Sequence, residues 1–188
     1  MLSIALLVVI VFFPISEIAL GVFKRATPAT AAVEDQGSMR VLWLSVAVGI
    51  VSAAVTSSWR LAPLPASSHT LHLLALVLMV GGLTIRWIAI VTLGRFFTVD
   101  VAVQARQPVI QTGVYRFIRH PSYAGMLLSF AGVGVFFADW LSLVTLLVPI
   151  TIAMMNRIVK EEAVLLAALG APYADYCART KRLIPGLL

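Results

Sequence analysis

Polar residues able to do chemistry are concentrated in the second half of this chain. One group is the run Gly113-Val114-Tyr115-Arg116-Phe117-Ile118-Arg119-His120-Pro121-Ser122-Tyr123-Ala124-Gly125. Two tyrosines, a histidine and a serine fall within the nine residues 115–123. Pro121 suits the first turn of a helix, where its missing N–H costs nothing and the remaining free N–H groups can face an anion. Together these groups could hold a polar or anionic ligand beside a membrane. The same residue types also make an ordinary mouth of a membrane span, with arginine and histidine at the headgroups.

A second group is Arg157-Ile158-Val159-Lys160-Glu161-Glu162. Arg157 and Glu161 are four apart and share one helix face. One reading is a surface ion pair worth about 0.3–0.5 kcal/mol. The other is a carboxylate facing a cationic ligand beside a guanidinium facing an anionic one. Spacing leaves both open. In the tail, Tyr173 and Tyr176 lie on one face next to Arg179, Lys181 and Arg182, a composition that fits an interfacial anchor on an anionic leaflet. Glu17 and Arg86 fall inside apolar runs, close enough to their ends to snorkel. His69 and His72 lack a clustered third ligand, so no metal site is expected. No glycine-rich phosphate loop and no G-x-S-x-G element is present, which excludes a soluble nucleotide-binding domain.

The elements that must position these groups are membrane spans. Of the 188 residues, 61% are apolar and 12% charged, and the mean hydropathy is +1.00. A soluble domain runs at about 45–50% apolar and about 25% charged, so the solvent here is a bilayer. One cysteine, Cys177, rules out a disulfide scaffold. Apolar length places spans at about 2–23, 41–59, 71–93, 123–137 and 141–155, the last two forming a hairpin that turns at Ala138-Asp139-Trp140. Segments 24–40 and 60–70 read as ordinary connectors. A helix over about 156–169 ends at Gly170, and a short one starts near Pro172.

With the amino terminus outside, Lys24, Arg25, Arg40, Arg95, Arg106, Arg116, Arg119, Arg157, Lys160, Arg179, Lys181 and Arg182 are cytoplasmic and only Arg60 is external. That is the positive-inside pattern, with the carboxyl end in the cytoplasm. The chain is a single membrane domain, residues 1–188, in which 94–122 and 156–188 are cytoplasmic and flank the short hairpin.

The set Leu93-Gly94, Gly113-Val114-Tyr115, Arg119-His120-Pro121-Ser122-Tyr123 with Gly125, Arg157 with Glu161-Glu162, and Gly170 with Tyr173 and Tyr176 resembles the isoprenylcysteine carboxyl methyltransferase family. The resemblance covers roughly residues 81–186. Glu34-Asp35-Gln36-Gly37-Ser38 also looks like a short element of bacterial members, with Gln36 in place of arginine, so a bacterial inner membrane is the expected location. The resemblance implies an all-α integral membrane protein of about five transmembrane helices, whose cytoplasmic carboxyl-terminal helical tail helps form the cofactor pocket. It implies S-adenosyl-L-methionine as cofactor, with S-adenosyl-L-homocysteine as product, held by Gln107, Pro108, Val109, Ile110, Tyr115, His120, Pro121, Ser122, Tyr123 and Glu161. It assigns Arg157 to the acceptor carboxylate, with Arg157 and Glu161 as the catalytic pair, and implies a lipophilic acceptor reaching the site from the bilayer. Two other readings are a phospholipid amine N-methyltransferase, and a non-catalytic membrane subunit whose basic face binds anionic lipid.

Overall fold

Helix starts and stops follow local chemistry. The structure, a computed structural model, describes residues 2–24, 37–104 and 106–186, and the backbone of 31–35. Arg25 and Gln36 lie outside the described residues. Ser67 caps the helix α3 (Ser68–Leu93) by accepting from Thr70 N at 3.2 Å, and Gly94, at φ +57°, ends it. Pro121 opens α4 (Pro121–Phe136) in its first turn. Asp139 caps α5 (Trp140–Leu169): its Oδ1 accepts from Leu141 N and Ser142 N, at 2.9 and 3.2 Å. Its Oδ2 takes Ala62 N at 3.0 Å, which ties the loop after α2 (Gly37–Trp59) to the α4–α5 turn. The remaining helices are α1 (Leu2–Phe23) and α6 (Ala171–Arg179), the latter also entered through Gly170, at φ +61°.

Among the described residues the chain is all-α apart from a two-stranded ribbon, and α1, α2, α3 and α5 are long and apolar enough to cross a membrane. α4, at 16 residues, is shorter than these, so among the described residues four helices rather than five meet the length requirement. α5 also departs from expectation. The apolar stretch and the charged stretch after 155 form one unbroken 30-residue helix, because nothing between Met155 and Leu169 interrupts the backbone hydrogen bonding.

Helix packing relies on missing side chains. A Cβ added to Gly82 would lie 2.4 Å from Gly125 O, and one on Gly125 would lie 2.5 Å from Gly82 O. Backbones of α3 and α4 therefore touch, the small-residue packing that serves where lipid is as apolar as leucine. α2 lies on α5, with Gly49 against Leu146, and α1 rests on α3. Phe13, Leu42, Val46, Met126, Phe130, Leu146, Ile150 and Ile158 fill the centre.

Segment 24–40 is more than a connector. Its residues 31–35 form β1 (Ala31–Asp35), antiparallel to β2 (Val101–Gln104), in register Ala31 with Gln104, Ala32 with Val103 and Val33 with Ala102, and with an irregularity before Asp35. Val99 N also donates to Lys24 O at 3.0 Å. The ribbon stitches the α1–α2 connection to the loop after α3.

Candidate functional site

At the ribbon end of the bundle, α1 to α5, residues 96–103 and 107–110 and α6 surround a cavity of about 490 Å³. Gln107, Pro108, Val109, Ile110, Tyr115, His120, Ser122, Tyr123, Arg157 and Glu161 all line it. Pro121 does not: it is fully buried at the first turn of α4, and its contribution is to start that helix.

Arg157 and Glu161 are joined through a third residue. Arg157 Nε donates to Tyr123 Oη at 2.8 Å, and Tyr123 Oη donates to Glu161 Oε2 at 2.7 Å. Arg157 Nη1 donates to Ser38 Oγ at 2.6 Å, and Nη2 donates to Val99 O. At 1% exposure this guanidinium cannot belong to a surface ion pair. It fastens α5 to α2, to α4 and to the loop before the ribbon strand.

The adjacent carboxylates have opposite surroundings. Glu162 Oε1 accepts from Arg119 Nε at 2.8 Å and sits 3.2 Å from His120 Nε2, while its Oε2 accepts from Arg182 Nε at 2.9 Å. Arg119 Nη1 continues to the carbonyls of Cys177 and Thr180, and Arg119 N and His120 N donate to Lys181 O and Arg182 O. Tyr176 Oη adds a 2.6 Å bond to Tyr115 O. Glu162 thus anchors the tail over the site, and Glu161 is left to the cavity wall. Tyr173 and Tyr176 are buried in this contact, so they do not form an exposed interfacial anchor.

Burial, with Glu161 adding its negative charge, pushes the Tyr115 hydroxyl well above the ordinary phenol range. Burial does the same to Tyr173, and lifts Tyr176 to about 12. All three are neutral donors at physiological pH. Tyr173 Oη is buried with no hydrogen-bond partner among the described residues, the weakly polar Cys177 thiol being its neighbour.

Glu17 and Arg86 pair with each other rather than snorkelling. Arg86 Nε and Nη2 donate to the two oxygens of Glu17 at 2.5 and 2.6 Å, and Nη1 donates to Ser122 Oγ at 2.9 Å. Both residues are buried and both line the cavity. A lone charge in hydrocarbon is costly and a bidentate pair is much less so, which explains why α1 carries its glutamate where α3 carries its arginine.

A sequence model of the isoprenylcysteine carboxyl methyltransferase family matches residues 73–167, just over half of the chain. The chain belongs to this family. Among its relatives, a probable protein-S-isoprenylcysteine O-methyltransferase of Oryza sativa subsp. indica is 33% identical over 112 residues, covering 58% of this chain and 59% of the relative. Protein-S-isoprenylcysteine O-methyltransferase A of Arabidopsis thaliana is 32% identical over 112 residues, with 58% and 57% covered. The chain thus spans less than two thirds of the length of these relatives. Among solved structures, the eukaryotic intramembrane Ras methyltransferase of the same family superposes with a TM-score of 0.58 at 22% identity, over 82% of this chain and 55% of that one. The shared fold and the four apolar helices make this family member a multi-pass integral membrane protein.

Glu162 as tail anchor, Ser38 as a partner of Arg157, and the Glu17–Arg86 pair were not assigned these roles from sequence. Their partners lie 42, 119 and 69 residues away, beyond any local pattern.

Proposed function

We propose that this chain is an S-adenosylmethionine-dependent carboxyl O-methyltransferase of the membrane, acting on a lipophilic carboxylate such as an isoprenylated cysteine. The observation that carries the proposal is the Arg157–Tyr123–Glu161 chain of hydrogen bonds, which sets a guanidinium and a carboxylate on the wall of one largely apolar cavity. The names of the plant relatives support the same reaction.

The residues present fit the cofactor. Among the described residues Tyr173 Oη is a buried donor without a partner, and the backbone N–H groups of Val109 and Ile110 bond to no other residue. These groups, with Glu161 for a cationic head and Tyr115 and Tyr123 as aromatic faces, would hold it, beside Gln107, Pro108, His120 and Ser122. S-adenosylmethionine supplies a methyl group made electrophilic by a sulfonium. The acceptor carboxylate is ionised at neutral pH, so the chain needs no general base. Arg157 is the cation for that carboxylate, and Tyr123, Ser38 and Val99 O help hold it still, so that acceptor and methyl donor meet in line. The tail strapped down by Glu162 and Arg119 excludes water from the site. Acceptor entry from the bilayer, an external amino terminus, cytoplasmic 94–122 and 156–188, and residence in a bacterial inner membrane complete the reading.

The test is calorimetric titration of the purified protein with S-adenosylhomocysteine, beside methyl transfer to an S-isoprenylcysteine. Saturable binding weakened by Glu161→Gln and His120→Ala, with a roughly 100-fold loss of carboxyl methylation in Arg157→Ala, supports it. Absence of binding to folded wild type removes the methyltransferase reading. Methylation of a phospholipid amine in its place, untouched by Arg157→Ala, identifies an N-methyltransferase.

A further inference from the structure

Four arginines line the cavity: Arg40, Arg86, Arg119 and Arg157. Three are committed to the protein. Arg86 is held by both oxygens of Glu17 and by Ser122. Arg119 is held by Glu162 and by the carbonyls of Cys177 and Thr180. Arg157 donates to Tyr123, Ser38 and Val99 and is 1% exposed. Arg40 differs: it is exposed, and it makes no hydrogen bond or ion pair among the described residues.

Its position in the helix is an independent sign. Arg40 sits in the first turn of α2, which begins at Gly37. A cation there faces the positive end of the helix dipole, an unfavourable arrangement that a neighbouring acidic group would ordinarily relieve. The first turn of α2 contains no acidic residue. An exposed cation at the rim of a cavity, with no hydrogen bond or ion pair among the described residues, points to a ligand that completes it. The ligand must be anionic. Met39, Leu42 and Trp43 line the cavity beside it, so the same wall offers apolar surface to the remainder of such a molecule.

We infer that Arg40 is an acceptor-binding residue, which captures the carboxylate of the lipophilic acceptor at the α2 wall of the cavity and selects the acid over its neutral ester. This rests on the carboxyl methyltransferase reading. It separates two tasks: Arg157 is held deep in the site, and Arg40, exposed at the rim, recruits the anion. It also gives the product a reason to leave. Once the carboxylate is esterified its charge is gone, and with it the attraction to Arg40.

The experiment is equilibrium binding of N-acetyl-S-isoprenylcysteine and of its methyl ester to the protein in phosphatidylcholine nanodiscs, followed by methylation kinetics. Wild type is expected to bind the acid about tenfold tighter than the ester, the scale of one hydrogen bond to a charged group. Arg40→Gln should abolish that preference, raise KM for the acid about tenfold with kcat and S-adenosylhomocysteine affinity unchanged, and Arg40→Lys should keep most of the preference. Arg116→Gln removes the same charge from an exposed residue outside the cavity and should change nothing. An acid preference that survives Arg40→Gln, or one that Arg116→Gln lowers equally, overturns the inference while leaving the reaction intact. Arg40-dependent preference in a wild type that methylates nothing keeps the anion site and removes the reaction.

Discussion

The two ends of the helical bundle handle buried polar groups differently. At the α4–α5 turn the buried Asp139, Ser142 and Thr56 satisfy one another and the nearby backbone: Asp139 caps α5 and holds Ala62 N, and Ser142 Oγ donates to Ala53 O while lying 3.0 Å from Thr56 Oγ1. At the cavity end too the bonds join separate elements, but among the described residues Tyr173 Oη and the Arg40 side chain are left without a hydrogen-bond partner. A closed polar cluster stabilises a fold, whereas an incomplete one leaves room for a ligand.

Breaking the anchor of the cavity end should have the largest effect. Glu162→Ala strands Arg119 and Arg182 together and should cost about 3 kcal/mol, read as a lowered Tm in detergent and as faster proteolysis after Leu169. The other end is more forgiving. Asp139→Ala removes one cap and one loop contact, and should cost about 1 kcal/mol while S-adenosylhomocysteine affinity stays at the wild-type value. An equal loss of affinity would erase the distinction between the ends. The smallest stability effect, and the sharpest comparison, belongs to Tyr173→Phe. Deleting an unsatisfied buried hydroxyl should leave Tm unchanged or slightly raised, yet weaken S-adenosylhomocysteine binding by about fivefold if that hydroxyl donates to the ligand.

What could be read in advance divides between local chemistry and contacts between distant segments. Long apolar runs reveal helices, since length and composition are local properties, and Asp139 and Gly170 mark helix ends by their own chemistry. Tyr115, His120, Tyr123, Arg157 and Glu161 could be picked out because tyrosine, histidine and charge are scarce in an apolar chain, and they surround one cavity. Their roles there are the proposal made above. The ribbon could not be foreseen. Ala31–Asp35 has no strand signature, and it is ordered by a partner 70 residues on. Glu161 and Glu162 are chemically alike, and only the positions of Arg119, Arg182 and Tyr123 decide which anchors the tail and which faces the cavity.

The continuity of α5 couples the site to the membrane itself. Thirty residues at about 1.5 Å each make a rod of about 45 Å, longer than a hydrocarbon core of about 30 Å. Trp140, half exposed at one end, belongs at the headgroup level, and Arg157 and Glu161 ride further along the same helix, beyond Pro149, whose missing N–H breaks one backbone hydrogen bond without ending the helix. A thinner bilayer tilts that rod or pushes its charged end outward, and a thicker one draws it in. Bilayer thickness thereby becomes a mechanical input to the site, sensed through a helix whose other end carries Arg157 and Glu161 into the cavity wall.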